Sequence, residues 1–419
     1  MTMPEQHHAP STTHSDPLSI QGSEVNRSKL GHIPALDGIR GVAILLVVLS
    51  HLTPTGPNAR HGLSHLIVRL SDSGTIGVDL FFVLSGFLIT GILLRSKNSR
   101  RYFLNFYGRR ALRIFPIYYF VLALVAIALF TMPALSSYEN LRSNWPYFWF
   151  YGTNILIARY GQAAVEGRWL GLGYLWSLAV EEHFYLFWPM IVFFCSRKTL
   201  IRVCVALLVI APLFRAFSPL MWRDSIAAYV LTWCRMDSLV IGAVLAILTQ
   251  DTPAAAVVRR FRWIGLISTP LFLSYVAIRL IHPSLVHDAV SRTLENSITA
   301  LFFVSLIALA LVPGWTSKIM TSRTLRFFGV YSYGIYVWHG VLLNVINEAL
   351  STRRLSFGSD HLWIGVIPHY VLSIAAMTLV AMLSYHLLEQ PFLKLKRYFD
   401  DGKISRKSPA LDIAPAPAP

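Results

Sequence analysis

The chain has 419 residues, of which 54% are hydrophobic and only 14% are charged. Soluble domains carry about 25% charged residues, so this composition excludes the two or three soluble domains that the length alone would suggest. The formal net charge of +16 does not indicate nucleic-acid binding, because the basic residues lie in short segments between apolar runs and not along one face of a soluble fold.

Ten apolar segments follow one another in the chain, and most approach the ~20 residues needed to cross the ~30 Å hydrocarbon layer of a bilayer. They predict an all-α protein, a polytopic transmembrane helical bundle that occupies residues 33–397. The polar segment 1–32 and the Pro/Ala-rich segment 398–419 are expected to be disordered cytoplasmic tails, because neither has the apolar residues of a core. The predicted spans are 33–53, 74–94, 112–132, 171–195, 200–217, 226–249, 263–281, 296–313, 327–349 and 363–388.

An even number of spans places both termini on one side of the membrane, and the basic residues indicate which side. With both tails in the cytoplasm, the cytoplasmic segments hold 24 Lys and Arg residues and the opposite segments hold 11. This bias follows the positive-inside rule, so we predict that both termini are cytoplasmic. The longest gap, 133–170, contains NWPYFWFYGTNILI, whose aromatic residues predict an interfacial or re-entrant helix at headgroup level.

The first span, IPALDGIRGVAILLVVLSH, carries three ionisable residues, Asp37, Arg40 and His51. At about 100° per residue these three fall on one helical face, which must turn towards protein or a water-filled cavity because ionisable groups are costly in lipid. Gly38 and Gly41 would let a neighbouring helix approach closely. The structural alternative is an ion pair between Asp37 and Arg40, with His51 a core histidine bonded to a backbone carbonyl.

The second and third spans add a buried acid and a basic pair. Asp79, in GVDLFFVLSGFLIT, is an intramembrane carboxylate and therefore a candidate for function. Arg110 and Arg113, in RRALRIFP, are three residues apart and share a helical face at the start of the third span. Two guanidinium groups at that spacing can bind phosphate oxygens, although anchoring by the positive-inside rule would explain them equally well.

Three later spans also contain polar residues that lipid would not tolerate. The segment WSLAVEEHFYLFWP has adjacent carboxylates, Glu181 and Glu182, of which at least one must turn inwards. Arg235 lies in WCRMDSLVIGAVL, and Tyr336 and His339 lie in YSYGIYVWHG. These residues are further candidates for substrate binding inside the bundle.

The order of these motifs, with LLEQPF after them, resembles membrane acyltransferase family 3, the bacterial multi-span O-acyltransferases. The resemblance covers about residues 33–397. It implies a multi-pass enzyme of the bacterial inner membrane that uses cytoplasmic acyl-CoA, often acetyl-CoA, as co-substrate. The acceptor it implies is a hydroxyl of a sugar or of another cell-envelope or secreted molecule. We expect membrane lipids as surroundings, no nucleic-acid partner, no bound cofactor and no metal.

The resemblance also implies roles for particular residues. It makes His51 the general base, since an alcohol is a poor nucleophile until a base takes its proton. It suggests that Glu182 or Asp79 orients the imidazole and that Arg40 stabilises the oxyanion formed at the thioester carbonyl. An acyl-histidine intermediate is a second possible mechanism. The residues expected to bind the two substrates are Arg110, Arg113, Asp37, Asp79, Glu181, Arg235, Tyr336 and His339.

The chain departs from the family pattern in three respects. His183 stands where a glutamine is common, and Gly334 and Val337 vary the ninth-span motif. No SGNH-type esterase domain, which some members carry, follows the membrane part, so we expect no second acyl transfer within this chain.

Two other functions are consistent with parts of the sequence. A proton-coupled secondary transporter would use Asp37, Asp79 and Glu182 as a proton relay. Transporters often contain internal repeats, and we find none here. An inactive scaffold with the same fold is the other alternative, and the presence of both Arg40 and His51 argues against it.

Overall fold

The computed structural model describes residues 33–52, 62–132, 139–166, 171–222, 226–281, 289–356 and 363–399. Every regular element within these ranges is helical and none is a strand, which confirms the all-α prediction. Residues 1–32 and 400–419 lie outside the described ranges, so the expectation that the tails are disordered remains a prediction.

The helices follow the apolar pattern of the sequence. In chain order they are α1 (Pro34–His51), α2 (Gly62–Asp72), α3 (Ile76–Ser96), α4 (Tyr102–Thr131), α5 (Glu139–Ser143), α6 (Trp145–Trp149), α7 (Thr153–Tyr160), α8 (Trp176–Phe194), α9 (Arg197–Met221), α10 (Ala227–Val230), α11 (Thr232–Asp251), α12 (Ala254–Ile281), α13 (Ala289–Ala310), α14 (Trp315–Met320), α15 (Arg323–Ala349), α16 (Thr352–Leu355), α17 (Trp363–Ser384) and α18 (Gln390–Lys394). A π-turn (Tyr385–Glu389) joins α17 to α18, and a 3-10 turn (Leu395–Phe399) follows α18.

Ten of the helices in the described ranges have 18 residues or more, and each overlaps one of the ten predicted spans. Eight segments are both long and apolar enough to cross a membrane, and α8 and α15 are the long helices that fall outside this set. The bundle and its multi-pass character are therefore confirmed. The number of crossings and the side of each terminus remain predictions.

Some predicted boundaries are wrong, because α4, α12 and α13 begin seven to ten residues before their predicted spans. Helix α4 begins at Tyr102, ten residues before the predicted span, because the preceding turns also bury a face: the Tyr102 hydroxyl donates to Pro189 O at 3.0 Å. The single interfacial helix expected in 144–157 is two short helices, α6 and α7. Between them Tyr151 has φ 54°, a left-handed conformation that a continuous right-handed helix cannot contain.

Glycines let α1 and α3 lie unusually close to their neighbours. A Cβ added to Gly38 would lie 1.7 Å from Met320 O, and one added to Gly41 would lie 1.9 Å from Leu325 O. In α3, a Cβ on Gly86 would lie 1.7 Å from Leu239 O of α11. The predicted close approach at Gly38 and Gly41 is confirmed.

The buried apolar residues form two clusters that share α1, α3 and α11. The larger one also includes residues of α4, α8, α15 and α17. The smaller one also includes residues of α12 and α13. Because α1 and α3 contribute to both clusters, their polar residues lie inside the bundle and can meet side chains from several helices.

Candidate active site

His51 is the last residue of α1, and its own helix holds the imidazole. Its Nδ1 lies 2.8 Å from Val47 O. A carbonyl oxygen can only accept a hydrogen bond, so Nδ1 carries the proton and donates it. The neutral ring then has its lone pair on Nε2, to which the described residues provide no hydrogen-bond partner. His51 therefore presents the nitrogen that a general base needs.

The His51 ring packs against His339 of α15, with ring centroids 5.0 Å apart and planes at 65°. His339 is completely buried, and its Nδ1 donates to Tyr336 O. Its Nε2 has no hydrogen-bond partner among the described residues. The Tyr336 hydroxyl donates to Tyr174 O at 2.6 Å and is also hydrogen-bonded to Ser177 Oγ. Two predicted substrate-binding residues, Tyr336 and His339, thus lie beside the predicted base.

Glu181 of α8 lies at the centre of a second group of polar side chains. Ser85 Oγ of α3 donates to Glu181 Oε1 at 2.6 Å, and the Tyr185 hydroxyl donates to Glu181 Oε2 at 3.1 Å. The Arg110 guanidinium lies over the Tyr185 ring, 5.5 Å from its centroid. Ser177, one helical turn before Glu181 in α8, is hydrogen-bonded to the Tyr336 hydroxyl. Glu181 therefore lies between the Arg110 contact and the part of α8 that meets the group around His51.

Basic residues of α1 and α4 form a third group. Arg40 donates to Asp37 Oδ1 at 3.1 Å, which is the ion pair that the sequence offered as the structural alternative. Arg40 also lies within electrostatic range of Arg110 and Arg113, and Arg110 lies within range of Glu181. Like charges brought together in this way provide a natural binding site for an anion.

The geometry does not support an oxyanion role for Arg40 beside His51. Eleven residues separate them in one helix, a rise of roughly 16 Å. The Arg40 guanidinium also turns towards Asp37, away from His51. Arg40 therefore lies with the arginines of α4, and its role at the oxyanion remains a prediction.

Asp79 does not orient the imidazole, contrary to expectation. Its carboxylate accepts a hydrogen bond from Arg235 at 2.5 Å and another from Ser238 Oγ at 3.1 Å. Asp79 and Arg235 are both buried, so they form an internal ion pair between α3 and α11. The binding of substrate by either residue remains a prediction.

Glu182 does not bond to His51 either, because it faces α4. It lies within electrostatic range of Tyr118, Tyr119 and Tyr151. Its Oε1 is buried without a hydrogen-bond partner among the described residues. The group that orients His51 is a backbone carbonyl, which no side-chain motif in the sequence can reveal.

Several residues of these groups were missed in the sequence. Tyr185 is one helical turn after Glu181, so its contact with that carboxylate could have been found from the i, i+4 spacing. Ser85 comes from a distant segment and gave no such signal. Arg215 donates to both carboxylate oxygens of Asp237, at 2.9 and 2.7 Å, and this buried pair joins α9 to α11.

Comparison with known proteins assigns a family to this architecture. A family model described as "Acyltransferase domain" matches residues 33–386. The peptidoglycan O-acetyltransferase OatA of Listeria monocytogenes is 29% identical over 384 residues, which cover 87% of this chain and 56% of that protein. The "Putative peptidoglycan O-acetyltransferase YrhL" of Bacillus subtilis is 29% identical over 382 residues, 86% of this chain and 55% of that protein.

A third relative, from Staphylococcus aureus, is named a "Putative O-acetyltransferase" and is 26% identical over 384 residues, 87% of this chain and 58% of that protein. The chain thus spans little more than half the length of these curated relatives. No solved structure matches the chain.

Proposed function

We propose that this chain, which belongs to the acyltransferase-domain family, transfers an acetyl group from acetyl-CoA to a hydroxyl of a cell-envelope carbohydrate. Family membership supports acyl transfer. The names of two similar proteins specify peptidoglycan as the molecule that is O-acetylated, which supports a polysaccharide acceptor here. The positive-inside bias supports a location in the bacterial inner membrane, with the donor taken from the cytoplasm.

The observation that carries the proposal is a sequence of polar groups through the interior of the bundle. It begins at Arg110, passes to Tyr185 and Glu181, and continues through Ser177, one helical turn before Glu181, to Tyr336 beside His339 and His51. Polar side chains are expensive in a membrane interior, so a continuous run of them marks a path for substrate. The arginine end suits the phosphates of CoA, and the histidine end suits the chemistry.

The reaction needs a base, a nucleophile and a thioester at the histidine end of this path. As the acceptor oxygen attacks the thioester carbonyl, His51 Nε2 takes the hydroxyl proton. The tetrahedral intermediate collapses, the carbon–sulfur bond breaks, and the CoA thiolate takes the proton back from His51. The new ester bond remains on the acceptor. The hydrogen bond from Nδ1 to Val47 O keeps the ring in the tautomer that this step requires.

The transporter alternative loses support from the same geometry. Two of the three acids in its relay are already in ion pairs, Asp37 with Arg40 and Asp79 with Arg235. An acid held by an arginine is a poor proton carrier because the pair stabilises its charged form.

His51→Asn tests the proposal. The asparagine amide can still donate to Val47 O but cannot act as a base, so we expect a loss of at least about 10²-fold in kcat with the fold intact. The assay uses protein in proteoliposomes, acetyl-CoA labelled in its acetyl group and peptidoglycan fragments as acceptor. His386→Asn is the matched control, because His386 is an exposed histidine of the π-turn. Full transfer by His51→Asn would remove the proposed base.

A further inference from the structure

The last described residues fold back onto the arginine-bearing part of α4. Phe399, at the end of the 3-10 turn, packs against Gly108: a Cβ added to this glycine would lie 2.3 Å from Phe399 Cε1. Gly108 directly precedes Arg109 and Arg110. The turn Leu395–Phe399 therefore packs beside the arginines, through a contact too close to admit a methyl group on Gly108.

This contact brings Lys396 into the basic group. Lys396 is half-buried, whereas its neighbours Lys394 and Arg397 are exposed. The charges of four arginines act on it most strongly, namely those of Arg113, Arg110, Arg109 and Arg40. No hydrogen bond or ion pair to Lys396 occurs among the described residues.

Among the described residues, three of these arginines have an acidic group nearby. Arg40 is paired with Asp37, Arg110 lies within range of Glu181, and Arg113 lies within range of Glu389. Bringing a fifth positive charge to such a group costs free energy unless an anion compensates it. The fold nevertheless holds the lysine there through the packing of Phe399.

We propose that Lys396 completes a phosphate-binding site with Arg110 and Arg113, and that the turn Leu395–Phe399 forms one wall of the acyl-donor site. The ligand class is a phosphorylated carrier, and the proposal rests on acetyl-CoA being the donor. A lysine ammonium binds a phosphate oxygen as a point charge, and the two arginines add planar, bidentate contacts. The turn Leu395–Phe399 thereby connects the donor site to α18, the helix before it.

Kinetics of Lys396→Met with two donors test this proposal. The KM for acetyl-CoA should rise about tenfold with kcat nearly unchanged, because a lost charge-assisted hydrogen bond weakens binding on that scale. The kcat/KM for S-acetylpantetheine, which has no phosphate, should stay the same. Lys396→Arg should restore the KM for acetyl-CoA. Lys394→Met removes the same charge from an exposed position outside the turn and should leave both donors unaffected.

A phospholipid headgroup offers the same phosphate chemistry as the donor, so the assays are run in nanodiscs of phosphatidylcholine alone and with added phosphatidylglycerol. We expect the KM effect of Lys396→Met in both. An effect seen only with the anionic lipid would assign Lys396 to lipid and overturn the proposal. An unchanged KM for acetyl-CoA, in a wild-type protein that uses acetyl-CoA, would overturn it as well. Wild-type protein that uses a different donor would instead refute the proposed function.

Discussion

At the scale of single residues, the base depends on one backbone carbonyl. Val47 O accepts the Nδ1 proton of His51 at 2.8 Å, four residues earlier in the same helix. This local bond selects the tautomer with a free Nε2. In many hydrolases and transferases, a carboxylate side chain accepts the Nδ1 proton and selects the tautomer in this way. Asp79 is therefore released from that task and pairs with Arg235, whereas Glu182 faces α4.

Glu181 leads to a prediction about one hydroxyl group. Tyr185→Phe removes the donor to Glu181 Oε2 but keeps the ring under Arg110. We expect a loss of about 1–3 kcal/mol in the free energy of unfolding, because a buried carboxylate loses a hydrogen bond. Thermal unfolding in detergent measures this loss. Tyr107→Phe is the control, since its hydroxyl donates to Leu186 O in a more exposed place and should cost less. Equal losses in the two variants would contradict the prediction.

At the scale of helices, the buried ion pairs connect α3, α9 and α11. Asp79 pairs with Arg235 between α3 and α11, and Asp237 pairs with Arg215 between α11 and α9. All four side chains are almost fully enclosed. A broken buried pair leaves an uncompensated charge, whereas a pair replaced as a whole by apolar residues often costs little.

Arg235→Met should therefore destabilise the protein by about 3–5 kcal/mol, because it leaves the Asp79 carboxylate buried without its cation. The double variant Asp79→Leu/Arg235→Met should recover most of that loss. Melting temperatures and acetyl transfer are measured for both. A double variant that is stable and active would make the pair structural. A double variant that is stable but inactive would support the sequence-based expectation that Asp79 and Arg235 bind substrate.

Glycines of α3 lead to a prediction about helix spacing. Gly86→Ala places a methyl group 1.7 Å from the backbone oxygen of Leu239, so α3 and α11 must separate. We expect a loss of several kcal/mol, at the upper end of the ~1–3 kcal/mol usual for overpacking. Gly91→Ala in the same helix is the control, since its nearest neighbour is the flexible end of Arg95 at 3.3 Å. Comparable unfolding midpoints for the two variants would contradict this.

The sequence reveals the long helices more fully than it reveals the points at which a helix begins or breaks. All ten long helices could be predicted because each is a run of apolar residues, and the glycines of α1 could be recognised as packing positions. The start of α4 could not, since Tyr102 and Phe106 bury a face that follows no long apolar run. The break at Tyr151 could not either, because nothing in the local sequence requires φ 54° at a tyrosine.

The sequence predicted which residues belong to the candidate site, but it did not predict which of them contact one another. Ionisable side chains are costly in free energy when they face lipid, and this alone indicates that Asp79, Glu181 and His51 face the interior of the bundle. It cannot tell that Asp79 meets Arg235, 156 residues away in the chain, or that Lys396 returns to α4. Such pairings depend on how the helices pack, which the period of one helix does not contain.

At the scale of the whole molecule, polar residues of the site make two of the long helices harder to recognise as membrane-spanning helices. Helices α8 and α15 are the two long helices outside the apolar set, and they carry Glu181 and His339. Their polar residues lower the apolar character of helices that nevertheless lie within the larger core. If these two helices cross the membrane as well as the eight apolar segments, the described helices make ten crossings and both termini lie on the same side.

Cysteine labelling tests whether α8 and α15 cross. In a protein with Cys195, Cys204 and Cys234 replaced by alanine, Glu139→Cys and Lys198→Cys flank α8 at exposed positions. We expect a membrane-impermeant maleimide to label the first in intact spheroplasts and the second only after permeabilisation, because the basic side of the protein is cytoplasmic.

Ser322→Cys and Arg353→Cys, also exposed, flank α15 and should show the reverse order, with only Arg353→Cys labelled in intact spheroplasts. Labelling of both members of a pair from one side would mean that the helix between them does not cross. The arginines of α4 and the histidine pair would then not be connected across the bilayer, and a donor bound in the cytoplasm would have no path to an acceptor outside. Opposite labelling of both pairs leaves the polar interior of the bundle as that path.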